Sequence, residues 1–224
     1  MTPPDRPHPS AYPARPALGG ASAEDRSPVA WRTHPPRGRR FADTLFAHFV
    51  RSPFVIGGVV PSSRFLARAM SREASGFESI VELGAGTGSL TRRLVADHPR
   101  IRLIAVERDV SLARRLARSC PQAAVREGCV HQHLDEIGAQ PARTAIVSSL
   151  PFRSLPASLA SVAIATLERF LLERPAGKLI QYSYGLRAPF AFSHPAIEWR
   201  RVERVWRNVP PALVWVARRT NARR

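Results

Sequence analysis

The chain has 224 residues, with 34 basic against 17 acidic side chains, 21 prolines and two cysteines. That length suits one domain plus an appendage, and Cys120 and Cys129 are too few for a disulfide scaffold or a four-cysteine zinc site. No apolar run reaches the roughly 18 residues of a membrane span, and the polar, proline-broken N-terminus does not read as a signal peptide. The expectation is therefore a cytoplasmic, reduced protein that does not span a membrane. Every basic residue except Lys178 is arginine. Such a surface attracts phosphate, whether of nucleic acid or of an anionic bilayer, and charge alone does not choose between them.

Residues 1–36 are rich in Pro, Ala, Ser and Arg and read as a disordered tail, too poor in apolar surface to offset the entropy of ordering. Residues 37–70 differ. Phe41, Leu45, Phe46, Phe49 and Val50 form one apolar helical stripe among Arg37, Arg39, Arg40 and Arg51, the composition of an interfacial amphipathic helix. After Phe54–Val60 and Pro61, Ser62 or Ser63 can cap a second helix through Phe65, Leu66 and Met70.

From residue 71 to 219 short β-branched runs alternate with helical stretches. Strands are expected at Ser79–Leu83, Arg102–Glu107, Ala123–Glu127, Ala145–Leu150 and Lys178–Tyr184. Helices are expected near 88–97, 109–119 and 157–172. Alternation of this kind implies βαβ units and a parallel sheet. Arg201–Arg207 and Ala212–Arg218, joined by a short connection, predict an antiparallel hairpin, and 220–224 remain as a basic tail. The fold class is α/β: a Rossmann-like parallel sheet closed by a C-terminal hairpin, the outline of a class I methyltransferase.

The strongest motif is Val81-Glu82-Leu83-Gly84-Ala85-Gly86-Thr87-Gly88-Ser89-Leu90-Thr91, at the end of the first strand. Glycines there permit positive φ and a close ligand approach. A dinucleotide fingerprint wants glycine at position 89, which is Ser; the spacing at Gly84, Gly86 and Gly88 instead resembles the S-adenosylmethionine loop. Glu107 ends the second strand nineteen positions after Gly88, where a carboxylate can accept both ribose hydroxyls. At the end of the fourth strand, Ser149-Leu150-Pro151-Phe152 is similar to the turn with which amino-group methyltransferases orient an acceptor nitrogen, the aromatic ring covering the transfer zone.

Together with Arg51-Ser52-Pro53, Gly57-Gly58-Val59-Val60-Pro61-Ser62-Ser63, Gln181-Tyr182-Ser183-Tyr184-Gly185 and Val205-Trp206-Arg207-Asn208-Val209-Pro210-Pro211-Ala212, these motifs resemble the soluble-type bacterial phospholipid N-methyltransferases over about 41–219. The resemblance implies a peripheral enzyme on the inner face of the membrane. It would methylate phosphatidylethanolamine or a related amino-lipid with S-adenosylmethionine, with nucleic acid disfavoured as partner. The cofactor residues it implies are Glu82, Gly84, Ala85, Gly86, Gly88, Glu107, Cys129 and Ser149; the acceptor side is Ser149, Leu150, Pro151, Phe152 and Tyr184.

One turn departs from the family: where a Gly-Asp-Ala turn binds the adenine amino group, this chain has Gly128-Cys129-Val130. Either Glu127 takes that role or cofactor binding is weaker. Ribosomal RNA adenine dimethylases share the glycine loop but carry Asn-Leu-Pro-Tyr and a helical domain after the last strand, where only Thr220–Arg224 remain here. A noncatalytic membrane protein on the cofactor fold is the other rival. His131 and His133 would share one face of an extended segment but lack a third metal ligand, so no metal is expected. Tyr182 and Tyr184, two apart on a strand, face one way; they suit either an ammonium group or the core. Carbonyls of Ser149 or Leu150, or a water near Tyr184, are the candidate proton acceptors.

Overall fold

The computed structural model describes residues 62–220. The expected tail at 1–36, the apolar stripe at 41–50, the run at 54–60 and the end at 221–224 lie outside the described residues. The elements are α1 (Ser62–Glu73), β1 (Ser79–Leu83), α2 (Ser89–Asp97), β2 (Arg102–Glu107), α3 (Val110–Ser119) and β3 (Ala124–Glu127). A 3-10 turn at Val130–His133 follows, then α4 (Leu134–Gly138), β4 (Thr144–Ser148), α5 (Ala157–Glu173), β5 (Lys178–Ser183), β6 (Ile197–Val205) and β7 (Ala212–Arg219).

The strands form one sheet in the order β3-β2-β1-β4-β5-β7-β6. The first five are parallel and β7 runs antiparallel to both β5 and β6. β1 and β4 are buried at every position, which is why adjacent apolar residues such as Ile80-Val81 and Ala145-Ile146-Val147 replace strict alternation in them. β6 starts at Ile197, earlier than the sequence pattern suggested. Its first half alternates Ile197 and Trp199 with exposed Glu198 and Arg200, and a bulge between Arg201 and Glu203 breaks the period that would have revealed it.

Each face of the sheet has its own core. Ile80, Ala105, Val147, Ile180 and Val214 pack with Leu66 and Met70 of α1, Leu90 and Leu94 of α2 and Leu116 of α3. Val81, Ile104, Ile146 and Leu179 pack on the other face with Leu167, Phe170 and Leu171 of α5. α1 is tied to this body at its C-terminal end. Ser71 Oγ donates to Asp97 Oδ2 of α2 at 2.7 Å, and the Lys178 ammonium donates to the Glu73 carbonyl at 2.6 Å. Burial pulls the Lys178 pKa down, with the Glu73 carboxylate opposing it.

The chain leaves β1 toward β2 on one side and the later β4 lies on the other. Their carboxyl ends therefore diverge into a crevice at a topological switch point, where open α/β sheets place ligands.

Candidate cofactor and acceptor cleft

A cavity of about 400 Å³ opens at those carboxyl ends, within the roughly 300–1,000 Å³ range of small-molecule sites. The loop after β1 supplies Gly84 and Gly86; β2 and its following turn supply Val106, Glu107, Arg108 and Asp109. The turn after β3 supplies Gly128, Cys129, Val130 and His131, and the segment after β4 supplies Ser149, Leu150 and Pro151. Leu155, Leu159 and Ala163 close the apolar side.

The three glycines of the loop all have left-handed φ, at 76°, 56° and 79° for Gly84, Gly86 and Gly88, a region costly for other residues. Their surroundings divide them. A Cβ on Gly86 would meet nothing within 4 Å, whereas one on Gly88 would fall 2.3 Å from Leu116 Cδ1. Gly86 thus leaves space on the cleft, and Gly88 lets α2 seat against α3. Ala85 and Gly88 do not line the cavity.

Glu107 is fixed by two backbone donors: Gly86 N–H gives a 2.7 Å bond to Oε2, and Asp109 N–H a 2.8 Å bond to Oε1. Each oxygen keeps acceptor capacity beyond its backbone bond. Asp109 is itself occupied as the cap of α3, accepting from Ser111 N and Leu112 N at 2.9 and 3.0 Å. The Ser111 hydroxyl, which donates to Asp109 Oδ1 at 2.6 Å, and after it the Leu112 amide hold its pKa below the usual carboxylate range.

Glu82 is not brought to the cavity. It is fully buried between β1 and α2, shut off from water with Thr91 of α2 as its polar neighbour. Burial pushes its pKa up to about 7; Thr91 offsets part of this, while the Glu107 charge adds to it. Glu82 therefore lies behind the loop, outside the cavity lining.

The turn after β3 is a 3-10 turn, not the extended segment its histidines suggested. At three residues per turn, positions two apart do not share a face. His131 lines the cleft, while the His133 ring Nε2 bonds the Glu127 carbonyl at 2.9 Å. Gln132 Oε1 accepts from Cys129 N–H at 2.7 Å. Cys129 lines the cleft, but Glu127 does not; its carboxylate pairs with Arg114 at 3.3 Å.

The acceptor side differs most from expectation. Ser149, Leu150 and Pro151 border the cavity, but Phe152 does not. Its ring is buried, 4.4 Å from the Phe190 ring in a cluster with Phe192 and Trp199. Tyr184 also lies away from the cavity. It meets Tyr182 edge to face at 5.5 Å, and both pack against the core on the α1 side. Burial raises the pKa of each phenol, and Asn208 partly relieves Tyr184. The Leu150 carbonyl accepts from Gln181 Nε2 at 3.2 Å and Phe152 N–H at 3.0 Å, which uses both its lone pairs. Leu159 and Ala163, one helical turn apart on α5, were missed as site residues. Their spacing of four was the available signal, but it equally describes a core stripe.

No family model matches the sequence, and no curated protein matches it. Solved structures do share the fold. An O-methyltransferase from Bacillus cereus, crystallised in complex with SAH, superposes with a TM-score of 0.52 at 12% identity, covering 79% of this chain and 90% of its own. The CcbJ methyltransferase from Streptomyces caelestis gives 0.51 at 13% identity, over 72% of this chain and 91% of its own. The described domain has the fold of these methyltransferases. Among the described residues no helix is long and apolar enough to cross a membrane.

Proposed function

We propose that the protein is an S-adenosylmethionine-dependent N-methyltransferase whose acceptor is the amino headgroup of a membrane lipid such as phosphatidylethanolamine, reached at an anionic membrane surface. The observation that carries the cofactor assignment is the Glu107 carboxylate, pinned by the Gly86 and Asp109 amides beside the open space at Gly86. A pinned carboxylate accepts two vicinal hydroxyls without reorganising, and the missing Cβ leaves room for the aminoacyl part. The Bacillus cereus structure with SAH supports the same ligand class.

Gly84, Gly86 and Glu107 would hold the cofactor's aminoacyl and ribose parts, and Cys129, Val130 and His131 would border its base. When bound, the cofactor supplies an already activated sulfonium methyl, so this chain's residues have to align and dehydrate the amine. An alkylammonium with a lysine-like pKa must first lose its proton. Leu150, Pro151, Leu155 and Leu159 make that part of the cleft apolar, and desolvation favours the neutral amine. With the Leu150 carbonyl saturated, the Ser149 carbonyl is the acceptor left to take an amine N–H and turn the lone pair toward the methyl.

The motifs Ser149-Leu150-Pro151-Phe152 and Gln181-Tyr182-Ser183-Tyr184-Gly185, with the resemblance they carry, support a lipid amine as substrate. The test is expression in a host lacking methylated lipids, followed by lipid extraction and mass spectrometry. New mono-, di- or trimethylated phosphatidylethanolamine is the expected result. Calorimetric binding of S-adenosylhomocysteine without any methylated lipid would redirect the acceptor assignment to another amine.

A further inference from the structure

The described residues contain three large hydrophobic side chains that are more than half exposed: Leu186 at 71%, Trp206 at 66% and Val209 at 65%. Strand register puts all three at one edge. β5 ends at Ser183, which pairs with Leu213, and β6 ends at Val205, which pairs with Ala212. The loop carrying Leu186 and the turn carrying Trp206 and Val209 therefore emerge side by side. They do so at the carboxyl end of the parallel strands, the end at which the cleft opens.

Arginines alternate with these tips. Arg187 follows Leu186 and is exposed, Arg204 stacks its guanidinium 3.7 Å from the centre of the Trp206 ring, and Arg207 lies 5.2 Å from the Phe65 ring. Neither Arg187, Arg204 nor Arg207 takes part in an ion pair among the described residues. Isolated apolar tips between arginines do not make the continuous apolar face that a protein partner would cover. They do match a bilayer surface, where indole sits at the headgroup level and guanidinium meets phosphate. A chain of net charge +17 adds long-range attraction to anionic lipid.

We propose that this rim docks the protein on an anionic phospholipid bilayer, with Trp206, Val209 and Leu186 entering the headgroup layer and the mouth of the cleft facing the lipid. The proposal rests on the amino-lipid reading of the cleft, and it assigns the contact to the β6–β7 turn and the loop after β5. Docking in this pose lets a headgroup amine enter the cleft without the lipid leaving the membrane.

The experiment is sedimentation of the full chain with phosphatidylcholine vesicles, with and without phosphatidylglycerol, for the parent and two variants. The variants are the double Trp206→Asp, Val209→Asp and the single Leu186→Asp, which lies in a separate loop. The parent should bind the anionic vesicles and release them at high salt. The double variant should bind at least tenfold more weakly and the single variant less severely. Both should keep the parent's calorimetric affinity for S-adenosylhomocysteine, since none of the three positions lines the cavity. Folded variants that sediment like the parent overturn the proposal. So does a parent that shifts RNA in a salt-dependent manner but ignores the vesicles. Vesicle binding by a parent that does not bind S-adenosylhomocysteine sustains the docking surface and overturns the methyltransferase reading, so the two fail separately.

Discussion

The two sides of the cleft are constructed by different means. On the β1–β2 side, main-chain atoms do the positioning: left-handed glycines, and a Glu107 carboxylate held by two amides. On the β4–β5 side, side chains do it, and the bulky ones were claimed by the core. Phe152 and Tyr184 sit in aromatic clusters on opposite faces of the sheet. A backbone device depends on local sequence and stays where the motif puts it. A large apolar ring goes wherever burial is greatest, because an aromatic side chain contributes more by packing than by waiting at a cleft.

Substitutions on the two sides should therefore separate stability from binding. The largest effect is expected at Phe152→Ala, which empties an aromatic cluster and should cost about 3–5 kcal/mol in urea unfolding. Its folded fraction should bind S-adenosylhomocysteine as the parent does. A clear loss of affinity at unchanged stability would return Phe152 to the cleft.

Glu82→Gln sharpens the comparison through pH. The carboxyl is raised from 4.5 to about 7 in the folded protein. Its stabilising contribution is therefore complete below about pH 4.5 and is lost as pH rises through about 7. The parent should lose on the order of 3 kcal/mol over that interval from this group. The Gln variant should lack that slope and be the more stable protein at pH 8. Parallel melting-temperature profiles for the two proteins between pH 5 and 8 would rule this out.

Glu107→Ala should leave folding nearly unchanged and weaken S-adenosylhomocysteine binding by roughly ten- to a hundredfold, the effect of a buried hydrogen bond to a charged group at about 1.5–3 kcal/mol. Unaltered affinity would sink the ribose assignment.

Within the loop itself, Gly88→Ala forces a Cβ to 2.3 Å from Leu116 and should cost about 1–3 kcal/mol of stability. Gly86→Leu, which projects into open space, should chiefly reduce cofactor affinity, though its left-handed backbone also adds strain. Equal outcomes for the two glycines would mean that the motif acts as one unit.

The smallest effect is expected at Cys129→Asp. A carboxylate beside the base should tighten S-adenosylhomocysteine binding, by less than about tenfold for one partly exposed hydrogen bond. With Glu127 turned to Arg114, no gain would point to a backbone carbonyl or to His131 as the existing acceptor.

The sequence by itself determined the parallel strands, the closing hairpin and the place of Glu107, while the order of the strands in the sheet came from the tertiary structure. The former follow from short β-branched runs, near-four-residue apolar patterns and glycine spacing, which are properties of the chain within a few residues. The β3 turn was harder to read because Cys129-Val130-His131-Gln132 has no strong periodicity, and a 3-10 turn closed by the Gln132 side chain leaves no signature. Only tertiary structure decided that Gly88 serves helix packing, that Glu82 is sealed behind the loop and that the Leu150 carbonyl is saturated. It likewise decided that Phe152 and Tyr184 belong to the core. The outcomes at Gly88, Leu150, Phe152 and Tyr184 depend on residues far along the chain (Leu116, Gln181, Phe190 and Asn208), and local pattern carries no record of which distant surface will arrive to cover a side chain.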